Sequence, residues 1–111
     1  MFLCYSLHGP TALSNGPASI EIQSRWIVDK IRKIDQTGLS YVGPTEAAEK
    51  NWKATVNMIT DMTPFPKADS WYMGANIPGK KREMMNFPGG LSVYEGMCRK
   101  ALENWEGVVT M

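Results

Sequence analysis

At 111 residues, 43% hydrophobic and 21% charged, the chain is the size of one domain with ordinary globular composition, too short for two nucleotide-binding folds. A formal net charge of +1 gives no electrostatic case for nucleic acid or an anionic membrane, and no apolar run approaches the roughly 20 residues that span a bilayer. The apolar start lacks a basic n-region and a cleavage site, so no signal peptide is expected. Cys4 and Cys98 read as reduced small hydrophobes rather than a disulfide, which points to a cytoplasmic protein.

Phe2 to Leu7 is a nearly continuous apolar run ended by His8, Gly9 and Pro10, the pattern of a strand buried on both faces in a parallel sheet. Such a strand needs neighbours that this chain barely offers, so a further N-terminal portion is expected. Gly9 to Gly16 is a connection rich in Gly, Pro, Ser and Asn, and Pro17 suits a first helical residue. Ile20, Ile27, Ile31 and Ile34 recur at helical spacing and Gly38 supplies a stop, which predicts a helix with that stripe on its buried face. Residues 1–38 thus read as strand, loop and helix. Ligands of open α/β sheets bind beyond the carboxyl ends of strands, which makes His8 to Ser14 a place to look for a site.

Residues 39–68 read as a short strand, Leu39 to Val42, then a helix capped by Thr45. Its apolar stripe is Ala48, Trp52, Thr55 or Val56, Ile59 and Met62, and Pro64 and Pro66 end it. Asp69 to Gly90 follows, 22 residues with four glycines, two prolines, a Trp-Tyr pair and the basic run Lys80, Lys81 and Arg82. Loops this long are uncommon in compact domains and are usually functional covers or disordered. Trp71, Met73, Met84, Met85 and Phe87 are packing residues, so the stretch reads as a mobile lid. In residues 91–111, Leu91, Tyr94, Cys98, Ala101, Leu102 and Trp105 predict a third helix. Ser92 and Glu95 form a capping-box pattern, Gly107 breaks the helix, and Val108 to Thr110 make a terminal strand. The fold class is α/β or α+β, with three main helices and a few short strands.

The residues offer little chemistry of their own. His8 is the only histidine, which excludes a multi-histidine metal site and leaves any nucleophilic serine or cysteine a single imidazole base. No G-x-S-x-G surrounds Ser70 or Ser92. Carboxylates are scattered over helix faces rather than paired. Trp71 reads either as a core anchor, as Trp52 and Trp105 do on their helical stripes, or as a loop indole that stacks on a ligand. The run from Lys80 to Arg82 suits a phosphate, and equally a solvated basic turn.

SWYMGANIPGK, followed by GG and an aromatic-bearing helix, resembles the C-terminal signature of the Baeyer–Villiger monooxygenases. GPTALSNGPASIEIQSRWI, PTEAAEKNW and ENWEGVV extend the resemblance over essentially the whole chain. The phosphate-cradling G-x-G-x-x-G and the family's FxGxxxHxxxW-type fingerprint are both missing, so the chain resembles only the C-terminal part of such an enzyme.

The resemblance implies an enzyme that uses NADPH to reduce FAD, activates O2 on the flavin and inserts one oxygen atom beside the carbonyl of a small apolar ketone. Trp71 is implied to fold inward and contact the nicotinamide cofactor. Asn76 and Lys80 are implied to contact that cofactor or to order the closed loop. Thr11, Ala12, Leu13 and Ser14, together with Met84, Met85, Asn86 and Phe87, are implied to line the substrate pocket. The chain alone is expected to bind no cofactor tightly and to be inactive, its partner being the remaining N-terminal part of the enzyme. Two other readings stand beside this one: an interaction module whose uncovered apolar surfaces form a homodimer, and a small-ligand binding protein without redox chemistry.

Overall fold

The side chain of Asn15 accepts the N–H of Ala18, and Gly38, at φ +66°, receives the chain at the other end, so that the first helix, α1, runs Gly16–Thr37. The computed structural model describes residues 1–11 and 14–111. After α1 come a strand β1 (Val42–Pro44), helix α2 (Glu46–Asp61), single 3-10 turns at Phe65–Lys67 and Trp71–Met73, helix α3 (Leu91–Asn104) and strand β2 (Val108–Thr110). Three helices and a short sheet form the mixed α/β fold that the pattern of apolar residues predicts. Thr45 caps α2 by accepting the N–H of Ala48, and Glu46 and Glu49 lie in its first turn, where the helix dipole favours negative charge.

The sheet is one antiparallel pair, with Val42 opposite Thr110, Gly43 opposite Val109 and Pro44 opposite Val108. The first strand begins where Leu39 to Val42 was expected to end. Ser40 and Tyr41 both donate their backbone N–H to the Met111 carbonyl, so this segment approaches β2 without forming regular pairs. Pro44 is tolerated because it is the last residue of the strand and has no N–H to pair.

Phe2 to Leu7 is not a strand. Tyr5, in the middle of the run, stands at φ +53°, and a left-handed residue breaks an extended strand; His8, just after it, is left-handed too at +60°. No described strand lies alongside to pair with it, and Leu3 and Leu7 remain largely exposed.

The inner face of α1 also differs from the expected stripe. Ile20 and Ile31 are exposed at 41% and 49%, whereas Ser19 and Gln23 are buried. Hydrogen bonds decide this orientation. Ser19 Oγ donates to the Pro10 carbonyl at 2.8 Å, and Gln23 accepts the N–H of Tyr5 at 2.7 Å while donating to the Tyr94 hydroxyl at 3.1 Å. Further along the same side, Trp26 Nε1 donates to the Cys98 carbonyl at 2.6 Å, and Lys33 Nζ donates to the carbonyls of Leu102 and Glu103. A polar seam therefore joins α1 to the N-terminal segment and to α3.

The core lies between α2, α3 and the end of the long loop. Val56, Met73, Met84 and Phe87 are buried, and Trp52, Ile59, Phe65, Tyr72, Tyr94 and Met97 pack around them. Full burial of each such side chain contributes about 1.5–3 kcal/mol. The third helix has no side-chain cap: Gly90, at φ +84°, precedes it, and Glu95 pairs with Arg99 at 2.7 Å instead of closing a box with Ser92. It ends at Asn104 with Trp105 in the left-handed region, two residues before the expected break at Gly107. There Lys33 Nζ stands 4.6 Å above the Trp105 ring.

Candidate functional site

The 69–90 stretch divides into parts with different environments. At its base the chain is strapped to itself, because Met85 donates its N–H to the Tyr72 carbonyl at 2.8 Å and Glu83 donates to the Met73 carbonyl at 3.1 Å. Arg82 reinforces the strap by donating to the Ala68 carbonyl and pairing with Asp69 at 2.8 Å. Lys53, on α2, pairs with Glu83 at 2.9 Å, and this hydrogen-bonded contact holds the Glu83 carboxyl below the usual range.

Beyond the strap, Gly74 to Lys81 form the tip. Gly74 and Gly79 take left-handed φ values of +68° and +76°, which a side chain would strain. The return limb, Met84 to Pro88, belongs to the core: Met84 and Phe87 are each 1% exposed and Asn86 is 6% exposed.

Trp71 stands at the base of this loop, 57% exposed as a residue, with its indole stacked on the Tyr72 ring at 4.0 Å. It is not a core anchor, whereas Trp52 packs on the core. Asn76 and Lys80 are exposed on the tip. Lys80 lays its methylenes against Gly74, where an added Cβ would come within 3.2 Å of its Cδ. Lys81 pairs with Glu83 and Arg82 with Asp69, so within the basic run Lys80 alone has no carboxylate partner among the described residues.

The two segments implied to line a pocket meet. The N–H of His8 donates to the Met85 carbonyl at 2.8 Å, and the N–H of Phe87 donates to the Gly9 carbonyl at 3.0 Å. His8 Nε2 lies 3.1 Å from the Met84 carbonyl, and Thr11 Oγ1 donates to Asn86 Oδ1. Thr11 and Ser14 are half-buried, as is Met85. Ala12 and Leu13 lie outside the described residues. The junction is invisible to local pattern reading, because its partners are 75 and 76 residues apart in sequence.

A second concavity, an open groove of about 890 Å³, lies between the helices, with Trp26, Lys30, Trp52, Tyr94 and Cys98 in its lining. It includes neither the loop residues nor the Met84 to Phe87 limb. Burial pushes the Tyr94 hydroxyl up to about 12, raises the Cys98 thiol and lowers the Lys30 ammonium, each shift favouring the neutral form. Among the described residues no group of three or more His, Cys, Asp or Glu gathers to hold a metal.

No protein-family profile matches the chain. It is 44% identical over 93 residues to a Baeyer–Villiger monooxygenase of Pseudooceanicola batsensis, covering 84% of this chain and 17% of that one. It is 43% identical over 94 residues to cyclohexanone 1,2-monooxygenase of an Acinetobacter species, covering 85% and 17%. The closed crystal structure of cyclohexanone monooxygenase superimposes with a TM-score of 0.84 at 37% identity, over 95% of this chain and 20% of that one. The chain is a homologue of the C-terminal part of the Baeyer–Villiger monooxygenases. An FAD-binding monooxygenase of Aspergillus aculeatus, 35% identical over 107 residues, matches 96% of this chain and 18% of its own length. The chain thus spans under a fifth of these curated relatives. Among the described residues no helix is long and apolar enough to cross a membrane.

Proposed function

We propose that this chain is the loop-bearing C-terminal segment of an FAD- and NADPH-dependent Baeyer–Villiger monooxygenase that acts on a small apolar ketone inside the cell. In that reaction one atom of O2 enters the carbon–carbon bond beside the carbonyl, the other leaves as water, and NADPH supplies two electrons through the flavin. The cofactors carry this chemistry when bound, and the segment supplies contacts and walls. The observation that carries the reading is the exposed indole of Trp71 on a loop base strapped by two backbone hydrogen bonds, with the return limb anchored in the core. An aromatic face held at a fixed base can close over a nicotinamide without reordering the whole loop.

Trp71, Asn76 and the unpaired Lys80 fit contacts to the nicotinamide cofactor, Lys80 as the cation for a phosphate. Thr11, Ser14 and Met84 to Phe87 fit the wall, with the adjacent methionines as adaptable apolar surface. The sequence carries no phosphate-cradling G-x-G-x-x-G, which supports a reading in which the N-terminal part of the enzyme binds FAD and the isolated segment is inactive.

The test is a purified full-length flavoenzyme carrying this segment, assayed for ketone-dependent NADPH oxidation with ester or lactone formation. Trp71→Ala is expected to lower turnover about 10- to 100-fold while leaving FAD bound. No ketone-dependent oxidation by the full-length protein, or oxidation by the isolated segment with added FAD, would overturn the proposal. A second reading is favoured by the exposed Phe2, Leu3, Ile20 and Ile31: copies of the isolated segment associate through these surfaces. Gel filtration at increasing concentration decides between monomer and dimer.

A further inference from the structure

The open groove of about 890 Å³ between the helices stands apart from the long loop and its return limb. Trp26, Trp52, Met97, Ala101 and Trp105 are each half-buried along its lining, so a broad apolar surface is covered on one side only. Phe2, Leu3 and Leu7 also line it, and all three are exposed.

Lys30 gives this surface a charge. Its Nζ stands 4.6 Å from the centre of the Trp26 ring and 5.9 Å from that of Phe2, half-buried and without a carboxylate partner among the described residues. Glu49, Lys100 and Glu106 on the same lining are exposed and keep their water. A cover over the groove takes the Lys30 ammonium out of water, and a buried charge is tolerated only when it is paired. The cover that fits is therefore apolar and brings a carboxylate.

A small molecule needs most of its surface enclosed, which a groove open along one side does not provide. A second copy has to associate from solution. The curated relatives carry this segment as 17–18% of their length, so their remaining polypeptide is tethered to it at an effective concentration on the order of mM. In those relatives the preceding polypeptide arrives at the segment's N-terminal residues, and Phe2, Leu3 and Leu7 are part of the groove.

We propose that this groove seats the N-terminal part of the enzyme, an apolar stretch of which carries a carboxylate that pairs with Lys30. This rests on the reading of the chain as one segment of a longer flavoenzyme, and adds the surface and the ion pair through which the two parts join.

Cys98 reports on the groove, because it belongs to the lining and is half-buried. Its alkylation by N-ethylmaleimide is followed by mass spectrometry of the Cys98 peptide, which keeps Cys4 and other thiols out of the measurement. The 111-residue chain and the full-length flavoenzyme are compared at one pH. Labelling is expected to be about 10-fold slower or more in the full-length protein. Lys30→Glu is expected to restore fast labelling there, because it sets two carboxylates face to face. Lys30→Met is expected to lower the Tm of the full-length protein by about 2 °C or more, and to leave or raise that of the 111-residue chain, where the ammonium has no partner to lose.

Equal labelling in the two proteins, or protection that Lys30→Glu leaves in place, would overturn the proposal even in an enzyme that oxidises ketones normally. Protection that appears in the 111-residue chain and grows with its concentration puts a second copy in the groove and overturns it as well. Protection lifted by Lys30→Glu in a full-length protein that oxidises no ketone supports the seat and removes only the monooxygenase activity.

Discussion

Phe87 lies flat against Trp52, the ring planes 8° apart and the centroids separated by 5.5 Å, which ties the end of the long loop to the middle of α2. Tyr94 completes the cluster at 5.4 Å from Phe87. Phe87→Ala is therefore expected to destabilise the chain by about 3–5 kcal/mol, measured by urea unfolding. A loss under 1 kcal/mol would mean that Phe87 serves mainly as pocket wall.

Exposure of the tip and anchoring of the limb predict opposite hydrogen-exchange behaviour within one loop. The amides of Asn76, Gly79 and Lys81 are expected to exchange fast, and those of Met85 and Phe87, bonded to Tyr72 and Gly9, to be protected about as well as the centre of α2. Uniform exchange across 69–90 would instead describe a lid that moves as a whole.

The hydroxyl of Tyr94 gives the chain an alkaline limit. Burial raises its pKa to about 12, above the ordinary value of 10.0, so the folded form keeps a proton that the unfolded form has lost. Its stabilising contribution is complete below pH 10 and declines as pH rises from 10.0 towards 12. Tm is expected to fall over that window, and Tyr94→Phe to fall less steeply, since it cannot ionise.

Gly107 should tolerate no side chain. At φ +74° it is left-handed, and a Cβ there would stand 2.7 Å from that of Ala48. Its carbonyl accepts the N–H of Thr45, the N-cap of α2, so displacement is transmitted to the helix start. Gly107→Ala is expected to cost about 2 kcal/mol or more, read from the denaturation midpoint.

Lys33 closes the end of α3, where a cation meets two carbonyls and the negative end of the helix dipole. Lys33→Met preserves the stem over Trp105 and removes the charge. The expected loss is about 1 kcal/mol, measured by thermal unfolding in low salt.

What was legible in the sequence was local. Thr45 and Gly38 mark helix ends through bonds to residues a few positions away, and the Trp52, Val56 and Ile59 spacing finds the buried side of α2 for the same reason. The inward face of α1 was not legible, because Ser19 and Gln23 are buried by bonds to Pro10, Tyr5 and Tyr94, none of which periodicity can count. For Phe2 to Leu7 composition misled outright, since apolar residues there meet no partner strand and the backbone turns at Tyr5. The site was legible as two separate segments through family resemblance, but their meeting at Thr11 and Asn86 required the fold.

That meeting has a consequence for synthesis. His8 and Met84 are 76 residues apart, and the ribosome delivers the earlier one first. At roughly 5–20 residues per second, the N-terminal segment waits on the order of 4–15 s before its partner exists. During that interval the backbone groups of His8 and Gly9 lack their partners on Met85 and Phe87, while Phe2 can already meet Trp26 on α1. Helices α1 and α2 form early from nearby residues, but the arrival of the return limb sets when this protein stops being a substrate for chaperones and proteases.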